Sequence, residues 1–189
     1  EVQVDRFVRN HAEHPKAQLI YADLGKYYYE GGEYDKAIGY LEKAIESTGN
    51  VNKKFESTYR LGMAYYNTQK FDQALTYLNQ VKNESTFTNA ADASYFAGVI
   101  NYKKNNYRQA YEDFLRIENN PYYKNEAPNW IVSSLYQLKD FDQLLTYGER
   151  LLAQQRGNNN LDDVALYVAE VQYEKGDYKA AATAYERYK

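Results

Sequence analysis

Tyrosines return along this chain at a steady interval: Tyr29, Tyr66, Tyr102, Tyr136 and Tyr173 stand 37, 36, 34 and 37 residues apart. A phenol brings a large flat area, little rotamer entropy to lose and one polar tip. A row of them at one register is therefore suited to holding an extended or helical peptide. Helix-helix packing uses the same side chains, and spacing alone leaves both readings open.

Other chemistries find little footing. Cysteine is absent, which removes disulfides, thiolate metal sites and cysteine nucleophiles. His11-Ala12-Glu13-His14 sets two imidazoles three residues apart with no second ligand cluster, so exposed histidines are expected and no metal. Gly31-Gly32 is a turn; no phosphate-cradling glycine loop followed by Lys-Ser or Lys-Thr occurs, and no nucleophile elbow. Asp162-Asp163 fits a helix start, where the macrodipole favours negative charge. Asn83-Glu84-Ser85 fits a glycosylation sequon, a triplet that carries meaning only in a secretory setting. Neither a catalytic residue nor a cofactor is expected. A net charge of -3 and a pI near 5.5 give no basic footprint for nucleic acid. No run of 18 apolar residues and no charged-then-apolar leader occurs, so neither membrane insertion nor a signal peptide is expected within these residues.

The elements that must carry the tyrosines are helical hairpins. In Leu24 to Ile45, Leu24, Gly25, Tyr28 and Tyr29 fall at helical spacing, Gly31 and Gly32 interrupt, and Tyr34, Ala37, Leu41 and Ala44 resume the period. The aromatics opening each second helix, Tyr34, Phe71, Tyr107, Phe141 and Tyr178, keep the interval of the tyrosine row. We divide the chain into one array: 1–17 as the second half of a preceding unit closed by Pro15, then 18–54, 55–90, 91–124, 125–161 and 162–189, the last truncated. Val51 ends the first full unit, and 157–160 (GNNN) makes a polar loop.

LGKYYYEGGEYDKAIGYLEKA, LGMAYYNTQKFDQALTYLNQV and VAEVQYEKGDYKAAATAYERY resemble tetratricopeptide (TPR) repeats, in which a leucine, a small residue and a tyrosine precede a later Gly, aromatic and Ala. The resemblance implies an all-α fold, a right-handed superhelical solenoid with first helices along a concave groove. Tyr29, Tyr59, Tyr66, Tyr95, Tyr102, Tyr136 and Tyr173 would line that groove, near Lys26, Met63, Val99, Asn129, Ser133, Leu166 and Glu170. One subclass grips terminal carboxylates with Lys and Asn; here the corresponding places carry Ala22, Lys26, Arg60, Asp92 and Phe96, so that clamp is lacking. Gly25, Gly62, Gly98 and Ala169 are expected to face Ala37, Ala74, Ala110 and Ala181 across each hairpin. The fourth unit departs, with Val132 and Leu144 at those places and Gly148 where a large residue is usual. That reads as an exchange of volume inside the hairpin.

These features point to a noncatalytic scaffold with a protein or peptide ligand. Two alternatives are the substrate-selecting arm of a larger enzyme and a self-associating structural array. The segment YFAGVINYKKNNYRQAYEDFLRIENNPYYKNEAPNW is similar to envelope-associated repeat proteins of Bacteroidetes-type bacteria, and more loosely to repeat lipoproteins of outer-membrane assembly. That likeness implies a periplasmic or envelope setting.

Overall fold

The structure is a computed structural model that describes residues 2–11, 14–154 and 161–186; 157–160, Ala12 and Glu13 lie outside the described residues. Among the described residues are eleven α-helices and no strand: α1 (Val2–Asn10), α2 (Pro15–Glu30), α3 (Tyr34–Ser47), α4 (Val51–Asn67), α5 (Phe71–Val81), α6 (Ala90–Lys103), α7 (Tyr107–Arg116), α8 (Ala127–Gln137), α9 (Phe141–Gln154), α10 (Asp162–Glu174) and α11 (Tyr178–Tyr185). From α2 onward they pair as hairpins, α2–α3 through α10–α11. Two starts differ from the sequence reading. Pro15 opens α2 rather than closing α1, because its missing N–H is one of the unpaired donors of a first turn anyway. Val51 opens α4 rather than ending the previous unit, since Asn50 caps it, its Oδ1 accepting from Lys53 N at 3.0 Å.

One turn closes all five hairpins. The residue two before each second helix has a left-handed backbone: Gly32 (φ 74), Gln69 (φ 60), Asn105 (φ 62), Lys139 (φ 56) and Gly176 (φ 82). That conformation lets two consecutive N–H groups fold back onto the last carbonyls of the first helix. In the first hairpin Gly32 N donates to Tyr29 O at 3.0 Å and Glu33 N to Tyr28 O at 2.9 Å. In the second, Gln69 N donates to Tyr66 O at 3.0 Å and Lys70 N to Tyr65 O at 2.8 Å, and the other three repeat the pattern.

Close approach of the two helices then depends on a glycine. A Cβ on Gly25 would meet Leu41 Cγ at 2.7 Å, one on Gly62 Leu78 Cγ at 2.9 Å, and one on Gly98 Phe114 Cζ at 2.8 Å. The residue each glycine accommodates is thus the large one sixteen positions on, a turn beyond the expected alanines, although Ala37, Ala74 and Ala110 are themselves fully buried. In the fourth hairpin the sizes are reversed, Val132 on the first helix and Gly148 on the second. The exchange is not confined to the hairpin, because a Cβ on Gly148 would meet Val168 Cγ2 of α10 at 2.4 Å. Gly148 makes room for its neighbour.

A second recurring contact lies between the position six before each second helix and the position six into it. Tyr28 stacks on Tyr40 with centroids 5.4 Å apart, and Tyr65 on Tyr77 at 5.6 Å. In the third hairpin a buried hydrogen bond replaces the rings, Asn101 Nδ2 donating to Asp113 Oδ2 at 3.0 Å. Tyr65 also donates from its hydroxyl to Glu42 Oε1 of α3 at 2.8 Å, so the stack ties consecutive hairpins together. Burial pushes the Tyr65 phenol well above its ordinary 10.0, and the hydrogen bond and charge of Glu42 push it further. Burial, then Glu42 and Glu46, raise Tyr77.

The chain forms two compact units, Glu1–Ala93 and Ser94–Lys189, and the division falls within α6. In the first, α1 lays Val8 on a cluster of Ala17, Tyr21, Ala22, Tyr40 and Ala44, flanked by Val4, Ile20, Leu24 and Tyr28. In the second, Phe114 is fully buried, stacked on Trp130 at 5.2 Å with Tyr95 edge-on at 6.0 Å, while Ile131, Leu135, Leu144 and Val164 complete the interior.

Gly62→Ala forces its new methyl against Leu78, whose backbone N also lies only 3.3 Å away, and urea unfolding should show a loss of about 1–3 kcal/mol. Gly39→Ala, in the middle of α3 with open space around it, should instead gain about 0.5–1 kcal/mol. The raised phenols set a pH dependence. Unfolded tyrosine ionises near 10.0 and the folded Tyr65 and Tyr77 above it, so their stabilisation is intact below pH 10 and is lost as pH rises through the folded values. Phenolate absorbance should therefore rise in two stages, the second coinciding with loss of helical circular dichroism.

Candidate functional site

Each member of the tyrosine row sits where its own carbonyl accepts the turn hydrogen bond, and its ring meets the aromatic five residues on. Tyr29 lies against Tyr34 at 5.7 Å, Tyr66 against Phe71 at 6.0 Å, Tyr102 against Tyr107 at 5.2 Å, Tyr136 against Phe141 at 5.9 Å and Tyr173 against Tyr178 at 5.2 Å. One part of every ring therefore braces its hairpin corner. What remains for a partner differs along the row: Tyr29, Tyr66, Tyr102 and Tyr136 are half-buried, and Tyr173 is 59% exposed.

Tyr59 and Tyr95 are each covered by an aromatic of the loop leading to the next hairpin. Phe87 packs edge-on to Tyr59 at 6.0 Å, with Phe55 beside it, and Tyr123 stacks on Tyr95 at 4.7 Å. Phe87 and Tyr123 are 36 residues apart, as are Tyr59 and Tyr95, so the sequence carried the signal for this pairing. Burial, then the carboxylate of Asp92, hold the Tyr59 phenol well above its usual range. Tyr29 is raised by burial and by Tyr34, against the opposing pull of Arg60 and a hydrogen bond from Asn67.

In the second unit the row is joined by Ser133, expected near the groove, and by Tyr167, Glu174 and Trp130, which the sequence reading passed over. The Tyr102 hydroxyl lies 2.6 Å from Ser133 Oγ, which lies 3.1 Å from the Tyr167 hydroxyl, so one serine links phenols from α6 and α10. The Tyr167 ring stands 5.2 Å from Tyr136, whose hydroxyl donates to Glu174 Oε1 at 3.2 Å. Trp130 packs edge-on to Tyr102 at 5.1 Å. Trp130 and Tyr167 each stand eleven residues before a second helix, a place held by Asp23 and Arg60 in the first two hairpins. That mixture of types masks the position in the sequence.

Charge distinguishes the first helices of the first two hairpins from those of the last two. First helices α2 and α4 carry both signs and neutralise them locally, Lys26 with Glu30 at 3.8 Å and Arg60 with Glu56 at 2.7 Å. Burial raises the Glu56 carboxyl, but the Arg60 hydrogen bond and the charges of Arg60, Lys53 and Lys26 outweigh it and leave the group below its ordinary value. In the second unit α8 bears no charged residue and α10 bears Asp162, Asp163, Glu170 and Glu174 with no base. Among the described residues no Lys or Arg pairs with Asp163, Glu170 or Glu174, and Lys175 is engaged by Asp142. These carboxylates surround phenols. Burial is the first cause of the raised Tyr136 and Tyr167 hydroxyls; Glu174 and Glu170 add to it at Tyr136, and Glu170 and Asp163 at Tyr167, where a hydrogen bond from Ser133 pulls the other way.

Elsewhere His14 caps α2 by accepting from Lys16 N at 3.2 Å, and His11 packs on Phe7 at 4.9 Å. Among the described residues no group of three His, Cys, Asp or Glu is placed to hold a metal ion, and no helix is long and apolar enough to cross a membrane.

The fold matches MamA protein with a TM-score of 0.68 at 18% identity, covering 90% of this chain and 89% of that one. MamA AMB-1 matches with a TM-score of 0.67 at 16% identity over 90% and 89%, and MamA MSR-1 with 0.62 at 17% over 90% and 94%. No curated protein sequence matches the chain. The tetratricopeptide repeat pattern matches residues 3–52, 22–87 and 59–124, together well over half of the 189 residues. With its stacked helical hairpins, the chain belongs to the tetratricopeptide repeat family.

Proposed function

We propose that the chain is a noncatalytic protein-interaction scaffold whose first helices hold a peptide or protein surface, and that the part held by the second unit carries Lys or Arg side chains. The observation that carries this reading is the pairing of unneutralised carboxylates with aromatic faces on α8 and α10: Asp163, Glu170 and Glu174 beside Tyr136 and Tyr167. A cation over a phenol face with a carboxylate at its flank gains both cation-π and ionic attraction. Contacts in the first unit come from Tyr29, Tyr59 and Tyr66, and in the second from Tyr95, Tyr102, Tyr136 and Tyr173, all on first helices. Rings already braced at hairpin corners lose little entropy on contact, so more of their buried area is expressed as affinity. The likeness of residues 95–130 to envelope-associated repeat proteins supports a role in bacterial envelope assembly. Fractionation of cells producing the full-length protein is the check on that setting.

The binding test uses two labelled peptides of alternating Ser and Lys or alternating Ser and Glu. Fluorescence anisotropy should show binding of the Lys peptide alone, weakening as salt rises. Glu170→Gln with Glu174→Gln should reduce its affinity at least tenfold with an unchanged thermal midpoint. Equal binding of the two peptides, or no loss in the double variant, would overturn the cationic ligand.

A further inference from the structure

The contact that fills two hairpins with stacked tyrosines is vacated in the last. Counting 107 residues on from Glu42, Tyr65 and Tyr77 leads to Glu149, Gln172 and Ala184. In the earlier set the Tyr65 and Tyr77 rings stack, and the Tyr65 hydroxyl donates to Glu42. In the later set both rings are gone. What survives is the acceptor: Gln172 Nε2 donates to Glu149 Oε1 at 2.8 Å, as the phenol does to Glu42. The fourth hairpin differs again, keeping the buried ring of Tyr147 at the place equivalent to Ala184.

Where the rings are missing, a cavity of 470 Å³ lies between α9, α10 and α11, walled by Leu152, Val168, Ala180 and Ala184 with Glu149 and Gln172 at one side. Its buried walls are aliphatic, the exposed Asp177, Lys179 and Thr183 also line it, and the Glu149 carboxylate has acceptor capacity beyond the one bond that Gln172 makes. We propose that this cavity is a binding site for a tyrosine side chain of a partner protein, its ring between Val168 and Ala184 and its hydroxyl donating to Glu149. The chain itself supplies the precedent, because the same backbone register holds phenols of its own against Glu42. Phenylalanine fills the same walls but leaves the carboxylate without a new donor. The site lies on the second helices α9 and α11 and on a part of α10 other than the Tyr167 face, so it does not depend on the groove proposal above.

Isotope-labelled protein titrated with N-acetyl-tyrosinamide is the test, followed through backbone amide resonances. A lone side-chain analogue should bind with about millimolar affinity and move the amides of Gln172, Ala180 and Ala184. N-acetyl-phenylalaninamide should bind at least fivefold more weakly. Ala184→Tyr, which restores the ring from within, should abolish binding, and Glu149→Gln, a change at an exposed position, should erase the preference for tyrosine while leaving the spectrum of the free protein intact. Equal binding of the two amides, shifts scattered away from the cavity, or unaltered binding by Ala184→Tyr would each overturn the site. Binding of p-cresol without binding of the tyrosinamide would assign the cavity to free phenols and overturn the protein side chain as occupant.

Discussion

The left-handed residue two positions before each second helix is the constraint on which the hairpins depend. It turns the chain within four residues and pairs two N–H groups with carbonyls that would otherwise end the first helix unsatisfied. With the turn set, the second helix returns at a fixed rotation. In the first three hairpins the glycine nine before it then faces the large residue seven into it. Gly32 and Gly176 adopt this backbone without strain. Gln69, Asn105 and Lys139 do so against the steric preference of a side chain, held by the same two hydrogen bonds.

Tyrosine serves this chain in three structural ways before any partner is considered. It braces hairpin corners edge-on, it stacks in pairs on the second-helix side, and it lies beneath loop aromatics on the first-helix side. Each use packs a ring against another and leaves a hydroxyl to be paired, and the pairing choices make the hairpins unlike one another. Tyr65 takes a carboxylate of the preceding hairpin, Tyr102 a serine of the next, and Tyr136 a carboxylate at the end of α10. The hydroxyls thus act between hairpins and the rings mostly within them.

The period was legible because turn, small residue and aromatic recur at one register, each required by backbone geometry. Contacts between registers were not. Gly62 precedes both Ala74 and Leu78 on the buried stripe of α5, and no pattern of types reveals which one its hydrogen atoms touch; only the helix crossing decides. The pattern sets Gly148 against Val132 and Leu144 within one hairpin, yet the side chain it admits is Val168, in the next hairpin and twenty residues away. Pro15 has opposite meanings at the end of one helix and the start of another, and His14 ahead of it settles the matter by capping. Among candidate site residues the row itself was visible in the spacing. Tyr167 was hidden because its register holds a different type in every hairpin.

Five near-copies in one chain face a hazard in folding, since a first helix finds several second helices with almost the right surface. The buried Asn101–Asp113 pair answers that hazard for the third hairpin. Were α6 to dock on α9 in place of α7, Asn101 would meet the ring of Tyr147, and its amide would go dry and unpaired at a cost of roughly 1–3 kcal/mol. Asp113 is equally unsuited to the tyrosines that await a ring. The pair acts as an address, written in one of the three hairpins that lack the stacked tyrosines, and it makes correct assembly a matter of matching as well as of burial.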